Sequence, residues 1–97
     1  MTERAFLSVG SNVEPERHLP LAAALLADVG RVFAVSSVYH NPAVGPNAQP
    51  DFLNTAVLLE TTLSAAELRA ELRRLEAQLG RRRRPDKFAP RTIDVDI

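Results

Sequence analysis

Pro90-Arg91-Thr92-Ile93-Asp94-Val95-Asp96-Ile97 ends the sequence on a β-branched run with two carboxylates two residues apart. Alternation in an extended chain sends Asp94 and Asp96 to one face and Ile93, Val95 and Ile97 to the other, which is expected to bury. Pro90 holds the chain extended, so the strand is expected to begin at Thr92, with Arg91 turned outward. The two aspartate Cα atoms then lie roughly 6.5 to 7 Å apart. Their carboxylates can converge on one hard cation or bridge two, which makes this stretch a metal site in outline.

The preceding segments decide what this strand closes. Ser64-Ala65-Ala66-Glu67 is a capping box, and Leu68, Leu72, Leu75 and Leu79 form the seam of the helix it starts, with Gly80 ending it. Further upstream, Phe52 to Leu59 has strand character, and its even spacing puts Phe52, Asn54 and Ala56 on one face. Val32 to Tyr39 reads as another strand, with Phe33, Val35 and Tyr39 on one side. Between these two strands, His40 to Asp51 holds three prolines, Gly45 and two asparagines and is longer than the usual connection, a length often associated with function. Leu19, Ala22, Ala23, Leu26 and Val29 recur at helical spacing, with Pro20 expected in the first turn and Gly30 just past the last. Ala5 to Val9 is a short strand expected to leave through a tight turn at Gly10-Ser11-Asn12. The order strand, helix, strand, strand, helix, loop, strand predicts an α+β, ferredoxin-like βαββαβ fold, with an antiparallel sheet and two helices on one face.

Composition narrows the function classes. Ninety-seven residues, 45% hydrophobic and 25% charged, suit one small soluble domain over 1–97. No run approaches the roughly 20 apolar residues of a bilayer span, and Met1-Thr2-Glu3-Arg4 does not begin a secretory signal. Zero cysteines exclude disulfides and thiolate metal sites and fit a cytoplasmic protein. The formal charge of zero hides a concentration of cations: residues 81 to 91 carry six of the twelve basic side chains and one acid, Asp86. A dense positive loop followed by two carboxylates suits a polyanion bound through a cation, and oxygen-only ligation suits Mg²⁺. Gly10-Ser11-Asn12 offers a phosphate nest but is too short for a P-loop. Phe52 offers a stacking ring and Asn54 an amide, the latter depleted in strands.

Gly10-Ser11-Asn12, Ser36-Ser37-Val38-Tyr39, Pro42 with Gly45-Pro46, Gln49-Pro50-Asp51-Phe52-Leu53-Asn54, Leu79-Gly80-Arg81 and the final block from Pro90 to Ile97 together fit one pattern. The chain resembles the hydroxymethyl-dihydropterin pyrophosphokinases of folate biosynthesis over nearly its whole length. The resemblance implies transfer of the terminal diphosphate of ATP to the hydroxymethyl group of a reduced pterin, with release of AMP. It implies that Asp94 and Asp96 hold two Mg²⁺ ions, with Asp96 nearer the attacking hydroxyl. Arg81 and Arg91 are expected to close over the phosphates, and Glu76, Arg83 and Phe88 to join Arg91 in ATP binding. Phe52 is expected to stack on the pterin and Asn54 to bond its ring edge, assisted by Pro42, Ala43 and Val44. Phe88 stands where the family often has tryptophan.

Family members also continue past this final strand into residues that hold ATP and complete the pterin sandwich. On that ground 1–97 corresponds to the N-terminal portion of the family's fold, with weakened nucleotide binding and low turnover expected of it alone. Replacing Asp94 or Asp96 is expected to spare folding. The expected partners are ATP and a reduced pterin, with no nucleic acid and no membrane. A monomer is expected, with self-association through the unfinished edge strand as the alternative. The competing function is a non-catalytic binding module on the same sheet, for RNA through the arginine loop or for a protein through that edge; four Phe and one Tyr are few for an RNA-binding sheet.

Overall fold

β1, Glu3–Ser11, runs through the middle of the sheet, and its alternation sorts the molecule into two sides. Leu7, Val9 and Ser11 are buried, whereas Phe6 and Ser8, of the other parity, are exposed. In the computed structural model, which describes residues 2–42, 49–81 and 92–97, the elements that follow are α1 (Pro15–Leu26), β2 (Arg31–Val35), β3 (Tyr39–Asn41), β4 (Phe52–Thr61), α2 (Ala65–Gln78) and β5 (Asp94–Asp96). The five strands form one antiparallel sheet in the order β2-β4-β1-β5, with β3 also paired to β4. This α+β arrangement, with two helices on one face, matches the ferredoxin-like order expected from the sequence.

Register carries the sorting across strands. Leu7 lies opposite Val57 and Val9 lies between Thr55 and Val95, so these residues face the helices together. They meet Ala22 and Leu26 of α1, Leu68, Leu72 and Leu75 of α2, and Ile93, all at most 3% exposed. Each large apolar side chain buried this way contributes about 1.5–3 kcal/mol. Residues of the other parity, including Phe6, Ser8, Gly10, Phe52, Asn54, Ala56, Asp94 and Asp96, occupy the opposite, open face.

Several local expectations are corrected. Gly10 and Ser11 are strand residues, with Gly10 paired to both Asn54 and Asp94, so no turn or phosphate nest begins there. Helix α1 starts at Pro15, in the first turn where a missing N–H costs nothing, which leaves Pro20 inside the helix. Glu14 before it is left-handed (φ 44°), and its carbonyl accepts from the N–H groups of Arg17 and His18.

The strand expected over Val32 to Tyr39 divides into β2 and β3. Val32 pairs with Leu59 and Ala34 with Leu58, so Phe33 is the extra residue of a bulge, and the even spacing of Phe33, Val35 and Tyr39 does not survive it. Val35 pairs with Val57 on the helix side, whereas Tyr39 pairs with Asn54 on the open side. Phe33 is instead covered by the guanidinium groups of Arg4 and Arg31, 4.3 and 5.2 Å from its ring centroid. β5 begins at Asp94, two residues later than expected, and Ile97 is exposed although its parity is that of the core.

Candidate functional site

The open face of the sheet brings together residues far apart in sequence. One row across it reads Tyr39, Asn54, Gly10, Asp94, and the next places Ala56, Ser8 and Asp96 side by side. Both aspartates therefore share a face with Phe52 and Asn54, separated from them only by β1. Adjacent strands are about 4.8 Å apart, so β4 and β5 stand roughly 10 Å from each other at Gly10. The lack of a side chain on Gly10 leaves room for the Asn54 amide over it: a Cβ there would lie 2.2 Å from Asn54 Oδ1. Pro42 follows β3, which ends on the pair Asn41 and Phe52.

The loop approaching Phe52 is tied back at its end. Asn12, 1% exposed, donates from Nδ2 to Gln49 Oε1 at 2.7 Å and to the Pro50 carbonyl at 3.2 Å. Just beyond, His40 Nε2 and Asp51 Oδ2 stand 3.0 Å apart. These contacts fix where β4 starts and so where Phe52 and Asn54 fall. Asn12 was legible only as part of a turn, and its buried amide was not.

The second cluster sits on the side of β5 away from β1, where the sheet ends among the described residues. Helix α2 carries Glu76, and the reversal at Gly80 (φ 90°) returns the chain so that Arg81 meets it. Arg81 Nη1 lies 2.7 Å from Glu76 Oε2, 2.6 Å from Asp94 Oδ1 and 3.3 Å from the Ile93 carbonyl. Glu76 Oε2 also accepts the backbone N–H of Val95 at 2.8 Å, and Oε1 accepts from Arg73 at 3.3 Å. The carboxylate thus takes the place a neighbouring strand would fill between the two aspartates. Burial pushes the Glu76 carboxyl above its ordinary value, against the opposing pull of the Val95 N–H, Arg81 and Arg73. Sequence spacing signalled Asp94, and the family resemblance named Arg81 and Glu76 as separate phosphate and nucleotide contacts; neither signalled that Glu76 joins Arg81 to the aspartate strand.

Among the described residues, Glu76, Arg81, Asp94, Asp96, Pro42, Phe52 and Asn54 can be located, whereas Ala43, Val44, Arg83, Phe88 and Arg91 lie outside them. Asp94 is half-buried against Arg81, so the expectation that its replacement spares folding holds better for exposed Asp96. No described group of three or more His, Asp or Glu side chains is arranged to hold a metal. Two carboxylates on one face are an oxygen donor set that fits a hard cation keeping water or phosphate for the rest of its shell. A cavity of about 290 Å³ lies on the other side of the sheet, under α1, lined by Val9, Leu19, Leu26, Val35 and Val57. Its apolar walls bring no reactive group to the open face. Among the described residues, no helix is long and apolar enough to cross a membrane.

Comparison with known proteins bears directly on this arrangement. The model of the family described as 7,8-dihydro-6-hydroxymethylpterin-pyrophosphokinase matches residues 6–97. A 2-amino-4-hydroxy-6-hydroxymethyldihydropteridine pyrophosphokinase of Bacillus subtilis is 39% identical over 100 residues, covering 100% of this chain and 59% of the relative. Proteins of the same name from Helicobacter pylori and Pseudomonas aeruginosa are 35% and 34% identical, covering 99% and 100% of this chain and 61% of each relative. The chain spans about 60% of the length of these curated relatives. With the family's pattern matched from β1 through both aspartates of β5, the chain belongs to the 7,8-dihydro-6-hydroxymethylpterin-pyrophosphokinase family.

Proposed function

We propose that the protein transfers diphosphate from ATP to the hydroxymethyl group of 6-hydroxymethyl-7,8-dihydropterin, giving AMP, in folate biosynthesis. One observation carries the reading: Phe52 and Asn54 on one side of β1, and Asp94 and Asp96 on the other, share the open face, with Asn54 and Asp94 both paired to Gly10. A gap of roughly 10 Å between β4 and β5 suits a flat heterocycle beside one strand and a polyphosphate beside the other.

In this reading Phe52 stacks on the pterin, Asn54 bonds its ring edge, and Pro42 with Ala43 and Val44 borders the same ring. The hydroxyl oxygen attacks the β-phosphorus, the bond from that phosphorus to the oxygen bridging to the α-phosphate breaks, AMP departs and the hydroxyl proton is lost. Asp94 and Asp96 would hold Mg²⁺, two ions with ATP, which supplies positive charge to the phosphate oxygens. Asp96 is taken as the aspartate nearer the attacking hydroxyl, as the family resemblance implies. Arg81 and Arg91 stabilise charge on the phosphates, Arg83 and Phe88 contact the nucleotide, and Glu76 enters ATP binding through Arg81. We take the cytoplasm as its compartment, a monomer as its form, and neither nucleic acid nor membrane as a partner.

The test is incubation of the chain with ATP, Mg²⁺ and the reduced pterin, following AMP, alongside calorimetry with Mg²⁺ and a nonhydrolysable ATP analogue. Weak Mg²⁺-dependent nucleotide binding and slow pterin-dependent AMP release are expected. Absence of both would overturn the reading.

A further inference from the structure

Asp94 has two claims on it: the divalent ion of the proposed reaction, and Arg81, which already reaches its Oδ1 at 2.6 Å. Arg81 is not a loosely attached surface side chain. It is 10% exposed, and the same Nη1 contacts Glu76, itself 3% exposed. Moving a guanidinium off its only partner in such a place would strand a buried charge, a change that typically costs several kcal/mol. Glu76 removes that obstacle, because Arg81 keeps one carboxylate when the other is handed over. Glu76 is itself held by Arg73 and by the Val95 N–H, midway between the two aspartates, so it has a fixed position from which to do this.

We propose that Glu76 is a positioning residue that presents Arg81 to Asp94 as a resident counter-cation. A divalent ion entering at Asp94 and Asp96 takes Asp94 from Arg81, and the guanidinium stays on Glu76. Affinity for the metal without nucleotide is then set by competition with Arg81, and metal entry releases the arginine's second contact for phosphate. The inference rests on the metal reading given above and adds an exchange of partners to it.

The probe is Mn²⁺ alone, titrated into the nucleotide-free chain by calorimetry or electron paramagnetic resonance. Arg81→Met removes the competitor and should tighten Mn²⁺ binding about 10-fold, the scale expected when one close opposing charge leaves a partly solvated site. Arg73→Met takes a positive charge from the same carboxylate without touching Asp94, and should leave affinity within about 2-fold, as expected of an exposed pair. Glu76→Gln leaves Arg81 with Asp94 as its carboxylate partner and should weaken Mn²⁺ binding, a direction opposite to that of Arg81→Met.

Should Arg81→Met fail to fold around Glu76, the double replacement Arg81→Met with Glu76→Gln removes the unmatched charge and should still tighten binding. In the unaltered chain, the Arg81 Nε–H resonance should shift as Mg²⁺ is added. Equal Mn²⁺ affinity in Arg81→Met and the parent, equal tightening in Arg73→Met, or an Arg81 resonance that stays in place at saturating Mg²⁺ would overturn the exchange while leaving the metal site standing. Failure of every variant and the parent to bind Mn²⁺, even with an ATP analogue present, would overturn the metal reading and the exchange together.

Discussion

Asn54 occupies the space that a side chain on Gly10 would need: an added Cβ would stand 2.2 Å from its Oδ1 and 3.2 Å from its Cγ. The obstructing group is the end of a side chain, so Gly10→Ala should be accommodated by swinging the amide away. The expected cost is about 1 kcal/mol, at the low end for overpacking, read as a shift in the urea midpoint. Pterin affinity should fall by a larger factor than nucleotide affinity, since β4 is disturbed and β5 is not. Adding Asn54→Ala should relieve the stability cost, a non-additive result that distinguishes this clash from a general weakening of β1.

Asp96 is exposed on β5 and Asp94 is half-buried in an ion pair, so the two aspartates should separate under isosteric replacement. Asp96→Asn should change folding stability by less than about 0.5 kcal/mol yet abolish Mg²⁺-dependent nucleotide binding. Asp94→Asn should do the same to binding and also cost roughly 1–3 kcal/mol of stability, because it weakens a charge-assisted contact to Arg81. Calorimetry and denaturant unfolding on both variants test the split. Unchanged Mg²⁺-nucleotide affinity in Asp96→Asn would remove it from the metal site.

Much of the fold could be read because its signals are local. The capping box, the leucine seam of α2 and the glycine after it depend on residues within a few positions, and all appear where expected. The face shared by Asp94 and Asp96, and that shared by Phe52 and Asn54, follow from strand parity and were equally legible. Parity failed at Phe33, where a bulge inserts a residue, because bulges are set by pairing with another strand. The start of α1 was misjudged because buried His18 stands on its inner face in place of an apolar residue. In the site, the family resemblance marked Glu76 as a nucleotide contact, while its periodicity showed only one charge on a helix. Its joining of Arg81 and the Val95 N–H needs three segments in space, which no periodicity encodes.

Ser64 Oγ accepts the Glu67 N–H at 3.1 Å and Glu67 Oε1 accepts the Ser64 N–H at 2.9 Å, satisfying two donors at the start of α2. Ser64→Ala should cost about 1 kcal/mol, seen as a lower Tm. Those bonds to Ser64 hold the Glu67 carboxyl below its ordinary value of 4.5. Its contribution is therefore present above that value and lost as pH falls through the lowered one. The difference between parent and Ser64→Ala should shrink in acid; an unchanged difference down to pH 3 would show that Glu67 is not coupled to the cap.

Glu76 runs the other way, because burial raises its carboxyl above 4.5 in the folded chain despite Arg81, Arg73 and the Val95 N–H. Between its unfolded value and the raised folded one, the native state holds the proton more firmly than the unfolded chain does. Stability from this group therefore falls as pH climbs through that window, and levels off above it. Glu76→Gln has no such proton to lose, while its amide oxygen can still accept the Val95 N–H. Its cost relative to the parent should be smaller at pH 7 than at pH 4.5, measured by urea unfolding at both. A cost that grows toward pH 7 would mean that the ionised carboxylate gains more from Arg81 and Arg73 than burial takes away, reversing the sign assigned to its environment.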